Sequence, residues 1–524
     1  MKKRTAFAIP RLCFPLLVWG CLTLVFALFY RRAFTMPMRS DWWAFCYQFH
    51  HLGALTDGQV KWLYLFQIDP WHEAGFRPLA FLVLYLEHAL WGARFLFYNI
   101  ANISFFALAL AFLMILLNDF IGHRFLVFAA GGVMAFLFSH MDILWGNFHI
   151  YILIGFCMFA YGFHLYITHI GKGGIWRLWA AGLLFLGGAL FYEAYLVWPL
   201  ACFILLYAFG REDGYAALAF RTILLAAAVY VIYAFIWWCV RQFPLYVNHV
   251  SKPASYLSWA LIGDACALSI FSFIYNGVVI NAMPFLAFPL SVGDNLELGG
   301  VLARVPAGTL AGIARAVAAA GVCALCVCVY HSIRRGKKKL VLRLIFFLFL
   351  PVAVLFGIYL GRIPTNTVLS NLTQFRHMFF INIGVVSCAA VLINASVSMK
   401  GRSLLLIVIG AAAILAVNAS MSTRVIAILD EQLSPLESLV ANIRRGIHSG
   451  LISRDRRLYI SGDIARSLPP LCWNREMGAF FMKGTYQWAL SERDIEMFAS
   501  FDQAAWVIEP QGLSIVPKQT EERF

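Results

Sequence analysis

The chain has 524 residues, 62% of them hydrophobic and 13% charged, with a formal net charge of +15 and a mean hydropathy of +0.77. A soluble domain is nearer half apolar and a quarter charged, so a soluble globular protein is excluded. Long unbroken apolar runs also exclude a transmembrane β-barrel, which alternates polar and apolar residues.

The N-terminus reads "MKKRTAFAIPR" and is followed by an apolar stretch over 12–30. A signal peptide would have a shorter core and a small-residue cleavage site. This stretch therefore predicts an uncleaved first span with a cytoplasmic N-terminus. Further apolar runs occur near 95–117, 125–139, 149–169, 178–192, 195–209, 222–240, 308–330, 344–360, 378–396 and 403–419. Two more, 78–92 and 256–290, are ambiguous by themselves.

The positive charge is read as a topology signal rather than as a sign of nucleic acid, because Lys and Arg collect in cytoplasmic loops. "RRGKKK" (334–339) is the strongest such mark. "GKGGIWR" (171–177), "FGRED" (209–213) and "SMKGR" (398–402) are weaker ones. All four fall on the side of the N-terminus only if neither ambiguous stretch crosses. The expectation is an all-α polytopic membrane protein with about eleven spans. Its C-terminus is extracytoplasmic, in a plasma (inner) membrane, and 78–92 and 256–290 are interfacial or re-entrant. Residues 1–419 form the membrane domain. Residues 420–524 read as a small α+β appendage. It opens with a helical pattern (423–448) and continues with strand-like pieces, "RLYISGDI" (457–464) and "AAWVIEP" (504–510).

The 12 cysteines lie mostly within apolar runs, as in "CALCVC" (Cys323, Cys326, Cys328). That spacing suits packing between helices rather than a metal. Cys46 and Cys472 lie outside such runs, so no disulfide framework is expected. The histidines show no metal-ligand spacing, and no metal site is assigned.

The outer ends of the predicted spans hold ionisable residues from separate loops: Asp41, Arg77, His140, Asp142, Glu193, Arg376 and His377. Ionisable groups near hydrocarbon are costly, and a one-sided cluster points to function. Each has an ordinary alternative. Asp41 suits a helix N-cap at Trp42. Arg77, Arg376 and His377 suit headgroup anchors. Asp142 suits a solvated loop. Glu193 is hardest to explain that way, since "FYEAYLVWP" (191–199) is apolar on both sides.

In order along the chain there are six motifs, five of which hold these residues. They are "RSDWW" after the first span, "GFRPL" (75–79) opening 78–92, and "FYNIANISFF" (97–106). "FSHMDILWGN" (138–147), "YEAYLVWPL" (192–200) and "TQFRHMFF" (373–380) follow. Their order over residues 1 to about 400 resembles the GT-C integral membrane glycosyltransferases. The branch most resembled is that of protein O-mannosyltransferases and related bacterial enzymes. That family often shows two adjacent acids after the first span; here Ser40 precedes Asp41, so Asp41 would carry the role alone. The resemblance implies a polyprenyl-phosphate sugar as donor and a glycan, lipid or protein as acceptor. Asp41 would be the general base. Arg376, with Arg77, would bind the donor phosphate. Asp142, Glu193, His140 and His377 would position acceptor, sugar or a basic partner. Enzymes of this kind differ over divalent metal, and no cofactor is assigned. The rival readings are a lipid-linked glycan transporter or flippase, for which no internal repeat is seen, and a polysaccharide polymerase or ligase.

Overall fold

The computed structural model describes residues 13–34, 76–92, 94–144, 149–210, 214–241, 259–286, 338–362, 377–396 and 401–449, with three short strands beyond. The helices, in chain order, are α1 (Cys13–Phe29), α2 (Pro78–Trp91), α3 (Phe95–Ile121), α4 (Arg124–Phe136), α5 (Met141–Leu144), α6 (Ile150–Lys172) and α7 (Ile175–Phe191). Then come α8 (Trp198–Phe209), α9 (Tyr215–Arg241), α10 (Trp259–Leu286), α11 (Lys338–Arg362), α12 (Met378–Ser396) and α13 (Gly401–His448). Each apolar run named above, except 308–330, falls on one of them. The run 308–330 lies outside the described residues.

Hydrocarbon offers no partner to a backbone amide, so apolar segments close their hydrogen bonds internally as helices. Among the described residues, six helices are long and apolar enough to cross a membrane. The chain is a polytopic helical membrane protein. Leu183, Leu200, Phe220, Val231 and Leu406 are exposed on its outside, as a lipid-facing surface requires. Phe106, Phe156, Phe163, Phe185, Trp198 and Phe379 are buried within. Phe185 stacks on Trp198 with ring centroids 4.5 Å apart.

Contacts between helix ends define two ends of the bundle. At one, Arg343 Nη1 donates to the Phe120 carbonyl (2.8 Å), Asn394 Nδ2 to that of Ile121 (3.1 Å) and Lys339 Nζ to that of Gly210 (3.2 Å). The hairpin joining α6 to α7 turns through Gly173 (φ 69°) and Gly174 (φ 94°), a backbone that side chains beyond Gly rarely adopt. This basic end gathers Lys172, Arg177, Lys338, Lys339 and Arg343. At the other end, Asn99 Nδ2 donates to the carbonyls of Ala33 (3.2 Å) and Phe34 (3.0 Å), fixing the chain where it leaves α1. Tyr195 Oη donates to the Ile152 carbonyl (3.0 Å), and Tyr230 Oη to that of Leu196 (2.6 Å). Asn382, the fifth residue of α12, joins that helix to Ser139 and His140 there.

Both ends of α2 meet that second end. Arg77 at its start contacts Glu193, and the Glu87 and Gly92 carbonyls near its finish accept from Tyr98 Oη. With 14 residues, or roughly 21 Å of rise, α2 lies across the end of the bundle rather than through it. α10 is a 28-residue helix whose Asn281 also reaches Asn382. α13 runs unbroken for 48 residues, straight through the step at 419–420 where hydropathy falls. Three strands follow: β1 (Leu458–Tyr459), β2 (Trp506–Ile508) and β3 (Ile515–Pro517). β2 pairs parallel with β1 and antiparallel with β3.

Helices in lipid approach closely through small residues. Gly155 of α6 and Gly188 of α7 face one another, and a Cβ on Gly188 would stand 3.2 Å from the Gly155 carbonyl oxygen. Gly188→Leu should push α6 from α7 and destabilise the fold by about 1–3 kcal/mol. A thermal midpoint in detergent equal to wild type would contradict that contact.

Candidate functional site

The second end of the bundle holds a partly buried ion pair. Arg77 is the residue before Pro78, and proline starts α2 because a first-turn position needs no amide donor. Glu193 follows α7 at a corner: Tyr192 is extended, and residues 193–197 then form a single 3-10 turn leading into α8. Arg77 Nε and Nη2 each lie 2.5 Å from one oxygen of Glu193, a two-pronged pairing across 116 positions of sequence. The Arg77 side chain is 10% exposed and that of Glu193 22%.

Two tyrosines hold the guanidinium. Its carbon stands 4.6 Å from the Tyr192 ring centroid and 5.9 Å from that of Tyr151. Nη1 also approaches Tyr151 Oη at 3.5 Å. Burial alone would lower the pKa of Arg77; the facing Glu193 carboxylate and the tyrosines raise it well above the ordinary value. Arg77 is therefore fixed as a cation.

A polar network lies on the other side of the first turn of α12. Asn382 Nδ2 donates to Ser139 Oγ and to His140 Nε2, both at 2.9 Å, and its Oδ1 accepts from Asn281 Nδ2 at 2.7 Å. With Nε2 accepting, the buried His140 is neutral, its proton on Nδ1. Nearby, Tyr359 Oη and Asn276 Nδ2 donate to Ser272 Oγ (2.8 and 2.9 Å). The buried His377 meets the Tyr359 ring edge-on, at 5.5 Å between centroids. Phe380 stacks against Tyr192 while its neighbour Phe379 meets His140. Two adjacent phenylalanines thus separate the ion pair from the network.

Of the residues expected from the sequence, Arg77 and Glu193 are paired directly. His140 and His377 lie at the same end of the bundle. Asp142 is on the four-residue helix α5, immediately after the turn that carries His140. Asp41 and Arg376 lie outside the described residues; Arg376 directly precedes His377 in sequence. The sequence reading missed Tyr151, Tyr192 and Asn382. A signal existed for two of them. Tyr192 adjoins Glu193, and Asn382 is a lone amide in the apolar run "MFFINIG" (378–384). Tyr151 carried none, since aromatics at helix starts are ordinary in membranes.

Among the described residues, the buried side chains of Glu87, His140, His149, His169 and His377 sit at or near helix ends or in the joins between helices. Also among the described residues, no group of three or more His, Cys, Asp or Glu is placed to hold a metal ion. No protein-family model matches the chain, and no curated protein is significantly similar to it.

Glu87, on α2, is 6% exposed, and burial pushes its carboxyl up to about 8. An unfolded carboxyl releases its proton near 4.5. The folded state therefore holds a proton that the unfolded state loses. The stability this confers is complete below about 4.5 and is lost as the pH rises through about 8. The thermal midpoint in detergent should fall across that window, and Glu87→Gln should flatten the fall. An equal slope in both proteins would contradict the assignment.

Proposed function

We propose that the chain is a membrane glycosyltransferase that moves a sugar from a polyprenyl-phosphate donor to an acceptor hydroxyl. The observation that carries this reading is the gathering of Arg77, Glu193, His140 and His377 at one end of the bundle, opposite the basic end. Asp142 lies on α5 at that end, and the other two candidates are joined to it in sequence. Asp41 follows Phe34, whose carbonyl is tied to Asn99, by seven residues, a reach of at most about 25 Å. Arg376 is bonded directly to the buried His377.

In this reading the Asp41 carboxylate takes the proton of the acceptor hydroxyl as that oxygen attacks the anomeric carbon. The bond from that carbon to the phosphate oxygen breaks, and the prenyl phosphate leaves with its electron pair. Arg376 and Arg77 balance the charge that develops on the leaving phosphate. One displacement with inversion suffices, and no covalent enzyme intermediate is needed. The acceptor is a glycan, lipid or protein.

The charge asymmetry sets the orientation in the same reading. The basic end, with Lys338, Lys339 and Arg343, is cytoplasmic under the positive-inside rule. The site end is then extracytoplasmic, with eleven spans in the plasma (inner) membrane and a cytoplasmic N-terminus. The C-terminal α+β unit stands over the site end. The pairing of β1, β2 and β3 and the unbroken reach of α13 past residue 420 support such a unit. A transporter would place its ionisable groups near the middle of the bilayer. The placement of the buried ones near helix ends favours the transferase.

Purified Asp41→Asn protein should keep donor binding and lose transfer by about a hundredfold or more. Unchanged turnover would remove Asp41 from the mechanism. Reporter fusions after Arg335 and Asp430 should report cytoplasmic and extracytoplasmic positions respectively. The reverse pattern would put the site on the wrong side of the membrane.

A further inference from the structure

We infer that Glu193 is a built-in occupant of an anion seat on Arg77, and that a phosphate ester binds there by displacing the Glu193 carboxylate. The inference rests on the transferase reading only for the identity of the anion. The seat itself stands on geometry.

Three features separate this pair from an ordinary structural salt bridge. First, the fork of Arg77 is filled two-pronged, by both oxygens of one carboxylate. A phosphate presents two oxygens to the same fork, and Arg accepts carboxylate and phosphate in the same two-pronged way. Second, the guanidinium is held without Glu193. The Tyr192 ring lies 4.6 Å from its carbon, and Tyr151 supplies both a ring face and a hydroxyl. The cation therefore stays in place when its carboxylate leaves. Third, the two partners are unequally bound. Glu193 is the more exposed, at 22% against 10%. Among the described residues, its carboxylate has no partner besides Arg77. It also opens a single 3-10 turn next to an extended residue, where a side-chain swing leaves α7 and α8 intact.

A buried arginine with no counter-charge is costly. An empty donor seat would leave Arg77 in that state, and Glu193 prevents it. An arriving phosphate takes over the fork, and the carboxylate moves toward its exposed side. Ligand and carboxylate then compete for one cation. The internal competitor scales the apparent affinity down to the fraction of time that it leaves the seat free. It also excludes neutral lipids, which cannot offer Arg77 a replacement charge.

The test is titration of the full-length protein in detergent with farnesyl phosphate, inorganic phosphate and vesicles of phosphatidylglycerol. Glu193→Gln should bind farnesyl phosphate about tenfold or more tighter than wild type. Glu193→Asp, which keeps the charge but shortens its reach, should show a smaller gain. Adding Arg77→Gln to either variant should abolish the gain. If Glu193→Gln does not fold, judged by its thermal midpoint, Glu193→Asp decides. Unchanged or weaker binding in a folded Glu193 variant overturns the exchange and leaves the transferase reading standing. An Arg77-dependent gain for inorganic phosphate or phosphatidylglycerol, with none for farnesyl phosphate, supports the exchange and counts against a prenyl-phosphate donor.

Discussion

A charge placed against hydrocarbon must be answered by another charge, and in this chain Arg77 and Glu193 answer each other. Removing one partner of such a pair is costly to the extent that the other is left desolvated and uncompensated. The pair also does topological work. It ties the start of α2 to the corner between α7 and α8. α2 is then held across the end of the bundle, where its far end meets Tyr98 of α3. A short apolar segment with no charged anchor would be free to slide at the interface.

The rest of that end follows from the same constraint. Polar groups brought into an apolar bundle must find partners. Ser139, His140 and Asn281 all bond to Asn382 where three segments converge: the turn at 138–140, α10 and α12. Asn99 satisfies carbonyls that α1 leaves behind at Ala33 and Phe34. The opposite end meets the demand differently, with Arg343, Lys339 and Asn394 donating to terminal helix carbonyls. Basic side chains are well suited to that role, since helix C-termini carry partial negative charge. The same lysine and arginine that close the helices thus give this end its positive charge.

The helices were largely legible in the sequence, because apolar length alone compels helix in a membrane. Glu193 and His140 lie at the end of the bundle opposite Lys339 and Arg343, the two faces to which the sequence assigned them. Partner choice was not legible. Nothing in "GFRPL" or "FYEAYLVWP" says that Arg77 and Glu193 meet across 116 positions, because that depends on how α2 folds back over α6 and α7. The hub role of Asn382 was hidden for the same reason: one amide in an apolar helix has no local pattern. The boundary at 419–420 follows hydropathy, whereas α13 follows helix propensity and continues through it. A helix leaving a membrane loses its apolar composition without losing its hydrogen bonds.

The central claim is that this end of the bundle receives a prenyl-phosphate sugar and passes the sugar on. Mass spectrometry of lipid-linked sugars and envelope glycans in cells lacking the protein tests it most directly. The account predicts that one prenyl-phosphate sugar accumulates while an envelope glycan, lipid or protein loses that sugar. The gene restored intact should reverse both changes. Lipid-linked sugars and acceptors identical with and without the protein would contradict it.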